Sequence, residues 1–335
     1  MKTTQQWLLT GSATLAAASL FLGATAQAAA PVEAPVAVAP AQLRVEAQGY
    51  WTSARMANAQ AQGMGKVAMR PAVAGDDGGK YGAAVLDFTS SRINPISAAK
   101  VAPYKAVGKL FFTKPGVGDY VCSASVLRAR LIVTAGHCVH SGNGQSSGYY
   151  TNFLFVPAWA GTSPGPLGNW NWGAAKVSDA WYVGNGTVPN AEDWAVIQLA
   201  DDALGYKVAK YTGKFDYMIG RAGDNHLTML GYPVAFDSGN TMHHCASSDY
   251  KDNGTNTMIY GCDMTGGASG GPWVQNLGVI STGQTGGSWA EANRVVGVNS
   301  YVSTDPTQMY MGASNFNQNF ANLMTFMCSF TAGNC

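Results

Sequence analysis

Gly266-Gly267-Ala268-Ser269-Gly270-Gly271-Pro272 is the stretch from which the rest of the chain can be read. Upstream stands Thr134-Ala135-Gly136-His137-Cys138, and between the two lies Asp193-Trp194-Ala195-Val196-Ile197-Gln198-Leu199. A serine hydroxyl at neutral pH is a poor nucleophile. It needs a base to take its proton, an acid to orient that base, and N–H donors for the developing oxyanion. His137, Asp193 and Ser269 are candidates for base, acid and nucleophile. Asp179 and Asp201 are rival acids, but neither precedes an uninterrupted apolar strand as Asp193 does.

Composition agrees with a β-rich body. The chain has 335 residues, room for one large domain or two small ones with extensions. Forty-one glycines among short apolar runs suit an all-β chain with many turns. Residues 107–112, 120–126 and 131–133 read as the first strands, and short strands continue to about residue 302. A net charge of +1 with 12% charged residues leaves no basic stripe for a nucleic acid.

The N-terminus reads as an export signal. Lys2 is followed by an apolar stretch over 7–22 and by Ala26-Gln27-Ala28, a small-x-small cleavage site. A membrane anchor is the rival reading. The apolar core is short and no stop-transfer charges follow it, so residues 1–28 are expected to be removed, leaving no membrane association. Export permits disulfides, and the six cysteines form an even set. Residues 29–92 are rich in Ala, Pro, Gln and Val and contain no Cys. They read as a propeptide, with a flexible spacer as the alternative.

Local patterns add detail. Asn253-Gly254 is a hairpin signal. A two-residue turn there would set Cys245 opposite Cys262 at a non-hydrogen-bonded pair, Cα atoms about 4.5 Å apart, close enough for a disulfide if no bulge intervenes. Phe316, Phe320, Leu323, Met324 and Met327 recur at helical spacing after Ser314-Asn315, the expected N-cap. That helix carries no Lys or Arg, which favours core packing over a membrane surface. His243-His244-Cys245 could hint at a metal, and Asp249, Asp252 and Asn253 at calcium. Surface histidines beside a disulfide and a hairpin tip are the simpler readings, and no metal is expected.

The three motifs, in this order, resemble those of the chymotrypsin-like serine endopeptidases, in particular the bacterial glutamyl-endopeptidase-like branch. The resemblance spans roughly residues 93–310. It implies two six-stranded antiparallel β-barrels, with His137 and Asp193 from the first and Ser269 from the second. It also implies a C-terminal helix on a protease domain over 93–335. The N–H groups of Gly267 and Ser269 would form the oxyanion hole, with Gly267 chosen because a Cβ would crowd the substrate. It implies a Cys122–Cys138 bond beneath the histidine loop and leaves Cys328 with Cys335. Specificity would be set by Asp263 and Met264 before the nucleophile and by Asn299, Ser300, Tyr301 and Val302 along the pocket wall. Asn299 stands where glutamate-selective relatives place a histidine, and Asp263 where trypsin-like relatives place an acid. Basic, acidic and small apolar side chains therefore all stay open. Ala268 replaces the aspartate that captures the new N-terminal amine in the digestive proteases.

The function so implied is a secreted, monomeric endopeptidase without a cofactor. Its partners would be protein or peptide substrates and its own propeptide. Arg92-Ile93 is the expected junction, with Lys80-Tyr81 and Lys100-Val101 as rivals. A catalytically silent binding module on the same fold, or an exported structural or adhesive protein, would need the motifs to be coincidental or inert.

Overall fold

Turn residues divide the apolar runs into strands, and the twist of those strands curls them into two closed systems. The computed structural model describes residues 32–40, 49–67, 90–223, 225–252, 256–278, 291–305 and 309–335. The expected signal sequence, the Lys80-Tyr81 junction and the Asn253-Gly254 turn lie outside them. Residues from Glu33 onward form one unit.

Four short strands come first: β1 (Ala37–Val38), β2 (Gln60–Ala61), β3 (Gly65–Val67) and β4 (Ser91–Arg92), with helix α1 (Ser53–Asn58) before β2. The first barrel is built from β5 (Val107–Lys114), β6 (Gly118–Val126), β7 (Leu131–Thr134), β8 (Thr151–Pro157), β9 (Trp170–Val177) and β10 (Ala195–Leu199). β8 pairs with β5 and β9, β9 with β10, β10 with β7, β7 with β6 and β6 with β5, all antiparallel. Six strands thus close on themselves and leave no free edge. Phe112 stacks on Tyr150 and Phe153 inside.

The second sheet holds β11 (Asp216–Tyr217), β12 (His226–Gly231), β13 (His243–Asp252), β14 (Thr257–Gly261), β15 (Pro272–Gln275), β16 (Arg294–Ser303) and β17 (Tyr310–Asn315). β16 pairs with β15, β15 with β12, β12 with β13, β13 with β14 and β14 with β17, and β17 returns to β16. Bulges interrupt three of these ladders, as they do two of the first barrel's, and bend the strands locally. The all-β double barrel expected from the sequence is the observed architecture.

Two short helices follow the first barrel's strands, α2 (Asp179–Tyr182) and α3 (Val208–Thr212), and α4 (Gln318–Phe330) ends the chain. α4 packs against β10 and buries Phe320, Leu323, Met324 and Met327. Its N-cap is Asn317, whose side chain accepts from the N–H groups of Asn319 and Phe320. Ser314 and Asn315 belong instead to β17, because pairing with β14 and β16 continues through them.

All three disulfides join the expected partners: Cys122–Cys138, Cys245–Cys262 and Cys328–Cys335. The register expected for the second does not hold. Asp249 pairs with Tyr260 and Asp252 with Met258, so the cysteines are not directly opposed. The ladder nearest the turn is already out of the register of a two-residue turn, since Asp252 pairs with Met258. The bulge between Asp249 and Lys251 shifts it again, and the bond forms at a Cα separation of 5.7 Å.

The stretch before residue 93 adds strands that its composition did not announce. β1 pairs with β9, β2 with β6, β3 with β16 and β4 with β13. Ala34, Trp51, Met56 and Met64 are buried. Pairings of two or three residues are too short to leave a period in the sequence.

Candidate active site

β7 ends at Thr134 and β10 begins at Ala195, and the antiparallel register places those two residues opposite each other. The short turn Gly136–Cys138 and Asp193 therefore leave the first barrel side by side. The His137 N–H donates to Asp193 Oδ1 at 2.9 Å, and His137 Nδ1 lies 2.7 Å from Asp193 Oδ2. With a carboxylate as partner, Nδ1 is the donor, an arrangement that in the neutral ring leaves Nε2 as the acceptor. Cys122–Cys138 ties this turn to β6.

Asp193 is fully buried and held from the second barrel as well. Ser300 Oγ donates to its Oδ2 at 2.5 Å. The Asp193 N–H donates to Ser314 Oγ at 3.1 Å, and that hydroxyl donates to Asn190 O. A buried carboxylate is costly unless each lone pair finds a donor, and three donors converge here.

Ser269 lies in the loop from β14 to β15. Ala268 N–H bonds Thr265 O, Gly271 N–H bonds Ala268 O, and Gly270 N–H bonds Asn299 O. The first barrel clamps the same loop: Ser123 N–H donates to Ser269 O at 2.7 Å, and Ser123 Oγ donates to Gly267 O at 2.9 Å. Gly267 has φ +93°, and a Cβ there would meet Tyr232 O at 2.7 Å. Backbone conformation and the Tyr232 carbonyl thus already demand glycine at this position. Gly270 has φ +78°, with Ser123 O 2.5 Å from where its Cβ would lie.

The site is covered. Ser269 is fully buried and His137 is 7% exposed. Ser269 Oγ and His137 Nε2 are both buried without a protein hydrogen-bond partner, so the bond between them is not made. The Gly267 N–H instead donates to the main-chain oxygen of Gln62 at 3.3 Å.

The residues expected to set specificity divide into two groups. Asn299 is fully buried; its amide donates to Ala268 O and Leu230 O and accepts from Trp273 Nε1. Ser300 serves Asp193, and Tyr301 packs with Ile259 and Tyr310. Met264 and Val302 gather in one cluster with Met64, Ala268 and the Cys245–Cys262 bridge. Asp263 accepts from the Ser90 N–H at 2.6 Å. Ser123, Ser314, Gln62 and Met64 carry no sequence signal of their own, because strand serines and an isolated Gln or Met look alike everywhere.

Cys122 and Cys138 approach His137, and Cys245 and Cys262 approach Asp263, within 4.8 Å. All four sulfurs are in disulfides and offer no thiolate. His243 bonds Asp237 through Nε2 and Ser90 Oγ through Nδ1. The side chains of Asp249, Asp252 and Asn253 lie outside the described residues.

No family model matches the sequence, and no curated protein does. Solved structures do. A thermostable serine protease from an extremophilic microorganism is 27% identical, with a TM-score of 0.56 over 68% of this chain and 98% of that one. A protease from Arthrobacter nicotinovorans is 29% identical, with a TM-score of 0.54 over 65% of this chain and 93% of that one. A Glu endopeptidase at 19% identity shares the fold, with a TM-score of 0.54 over 72% of this chain and 98% of that one. The chain has the chymotrypsin-like double-barrel fold of these bacterial serine proteases.

Proposed function

We propose that the protein is a serine endopeptidase that is exported as a precursor and hydrolyses peptide bonds through an acyl-enzyme. Ser269 Oγ attacks the scissile carbonyl while His137 Nε2 takes its proton. The tetrahedral oxyanion rests on the N–H groups of Gly267 and Ser269. Collapse breaks the C–N bond, and the proton on His137 passes to the leaving amine. Water, deprotonated by the same nitrogen, then releases the acid and restores Ser269. Asp193 holds the tautomer and stabilises the imidazolium.

The observation that carries this reading is the buried Asp193–His137 pair beside a nucleophile loop whose Gly267 N–H already holds a peptide carbonyl. The unmade Ser269–His137 bond is the feature a catalytically silent module would also show. In enzymes such bonds are often loose until substrate arrives. Export is supported by the signal-like N-terminus and by three disulfides in the fold. Among the described residues no helix is long and apolar enough to cross a membrane. Residues 29–92 are read as the propeptide and 93–335 as the protease, acting on protein or peptide substrates as a monomer.

A fluorophosphonate probe tests the reading. The cleaved enzyme should label on Ser269 and digest casein, and Ser269→Ala should do neither. A cleaved chain that neither labels nor digests is a silent module.

A further inference from the structure

Residues 60–67 cross from one barrel to the other over the candidate active site. Gln60 and Ala61 pair with Tyr120 and Val121 of β6, and the Gln62 N–H donates to Val121 O at 3.0 Å. Gln62 O then receives the Gly267 N–H, and the nearest atom to a Cβ on Gly266 would be Gln62 O. Met64 is 7% exposed within the cluster that includes Met264, Ala268 and Val302. Gly65, Lys66 and Val67 finally pair with Tyr301, Val302 and Ser303 of β16. Both ladders are parallel.

The direction of this crossing is the informative part. In a productive complex the leaving amine must reach His137, which belongs to the first barrel. The departing half of a substrate therefore lies along the first barrel, and the acyl half lies along β16 of the second. A substrate runs from second barrel to first, N-terminus to C-terminus. Residues 60–67 run from first to second. With that polarity, the nitrogen that follows the Gln62 carbonyl points toward the second barrel and away from His137. Were Ser269 to attack, no acid would stand beside the amine to be expelled, and the adduct would revert.

We infer that residues 60–67 are a built-in peptide inhibitor, bound in the substrate cleft with polarity opposite to a substrate. Its Gln62 carbonyl sits at the Gly267 N–H and its Met64 side chain fills the apolar pocket beside Met264. This rests on the endopeptidase reading above and names the ligand of that site: an extended peptide bound through backbone ladders and one unbranched apolar side chain. The fit needs no bond to be cut, so the segment blocks the cleft and survives there.

Three full-length chains test it: wild type, Met64→Asp and Gln62→Pro. The first variant puts a charge into the pocket. The second removes the N–H bonded to Val121 O, at the other end of the segment. Both should react with a fluorophosphonate at Ser269 at least tenfold faster than wild type. A synthetic peptide of residues 59–67 should slow the variants again and be recovered uncut by mass spectrometry. Equal labelling rates in all three chains, or peptide cleaved after Gln62, would overturn the inference and leave the hydrolase reading standing. If none of the three labels, even where mild denaturant releases the segment, the endopeptidase reading falls and the inference with it.

Discussion

At the scale of single residues, Asp193, the candidate acid, depends on hydroxyls that the motifs do not contain. Ser300 Oγ bonds Asp193 at 2.5 Å, and Ser314 Oγ accepts its N–H. Hydrogen bonds to a charged group contribute roughly 1.5–3 kcal/mol each, or about 10- to 100-fold in rate if lost from the transition state. Ser300→Ala should therefore lower kcat by that range with KM little changed, and Ser300→Thr should restore part of it. A loss confined to KM would show that Ser300 binds substrate instead. Lys109 shows what sequence could not reveal. It lies on β5, buried, with its Nζ 3.0 Å from Gly239 O and 5.5 Å from the ring centres of Phe111 and Trp159. Burial lowers its pKa from 10.5 to about 8. The unfolded chain holds that proton longer, so stability rises with pH between about 8 and 10.5 and the penalty is complete below 8. Wild type should gain up to about 3 kcal/mol relative to Lys109→Met across that window, read from denaturant titrations. Parallel curves would show that Lys109 is solvated. The candidates His137, Asp193 and Ser269 stood out in the sequence because each sits in a local motif, whereas Ser300, Ser314 and Lys109 acquire their contacts only from chain segments far away in sequence.

Elements were legible where their periodicity ran long enough. The strands expected at 107–112, 120–126 and 131–133 are the cores of β5, β6 and β7. The C-terminal helix was visible through its apolar spacing, while its start was misplaced because strand pairing outcompetes capping at Ser314 and Asn315. Its packing can be tested. Phe320 stacks on Phe316 at 3.6 Å between centroids and meets the edge of Trp194 at 5.8 Å. Phe320→Ala should cost about 3–5 kcal/mol of stability by leaving a cavity under β10. A loss below 1 kcal/mol would mean that α4 is not part of the cooperative core. The loop after the candidate base offers a pH test. His140 Nδ1 accepts from the Gly142 N–H and Nε2 donates to Gln145 O, a pattern that only the neutral ring can make. Burial lowers its pKa, against the opposing effect of the Gln145 carbonyl. Its contribution is present above about pH 6.5 and is lost as pH falls through the lowered folded value. Melting curves should show wild type losing stability below pH 6.5 more steeply than His140→Gln. Equal slopes would place the acid sensitivity elsewhere.

For the whole molecule, the proposed activity requires that the covered cleft be opened. The nucleophile loop of the uncut chain is already bonded through Ala268, Gly270 and Gly271, and Ala268 has no carboxylate with which to capture a new amine. Cleavage is thus expected to release an occupant rather than build a site. The Arg92-Ile93 junction suits that role. The Arg92 side chain is 59% exposed, on a two-residue edge strand that can fray, whereas Ile93 is 7% exposed and its N–H is bonded to Met242 O. A new terminus at Ile93 would stay anchored while everything before it lost its tether. The Lys100-Val101 rival would also strip away Ile93 and the buried Ala99. Before the cut, the inhibitory stretch is held at an effective concentration on the order of millimolar. After it, β2 and β3 retain only two and three paired residues each, and dissociation depends on dilution. Chains cut at Arg92-Ile93 should therefore be less active per molecule when concentrated and gain activity over minutes on dilution. N-terminal sequencing of the active species should read Ile93-Asn94-Pro95. Specific activity that stays constant from micromolar to nanomolar protein would exclude a separable inhibitor. Activity that appears only with the cut, however far the uncut chain is relaxed by mild denaturant, would show that the new terminus itself completes the site.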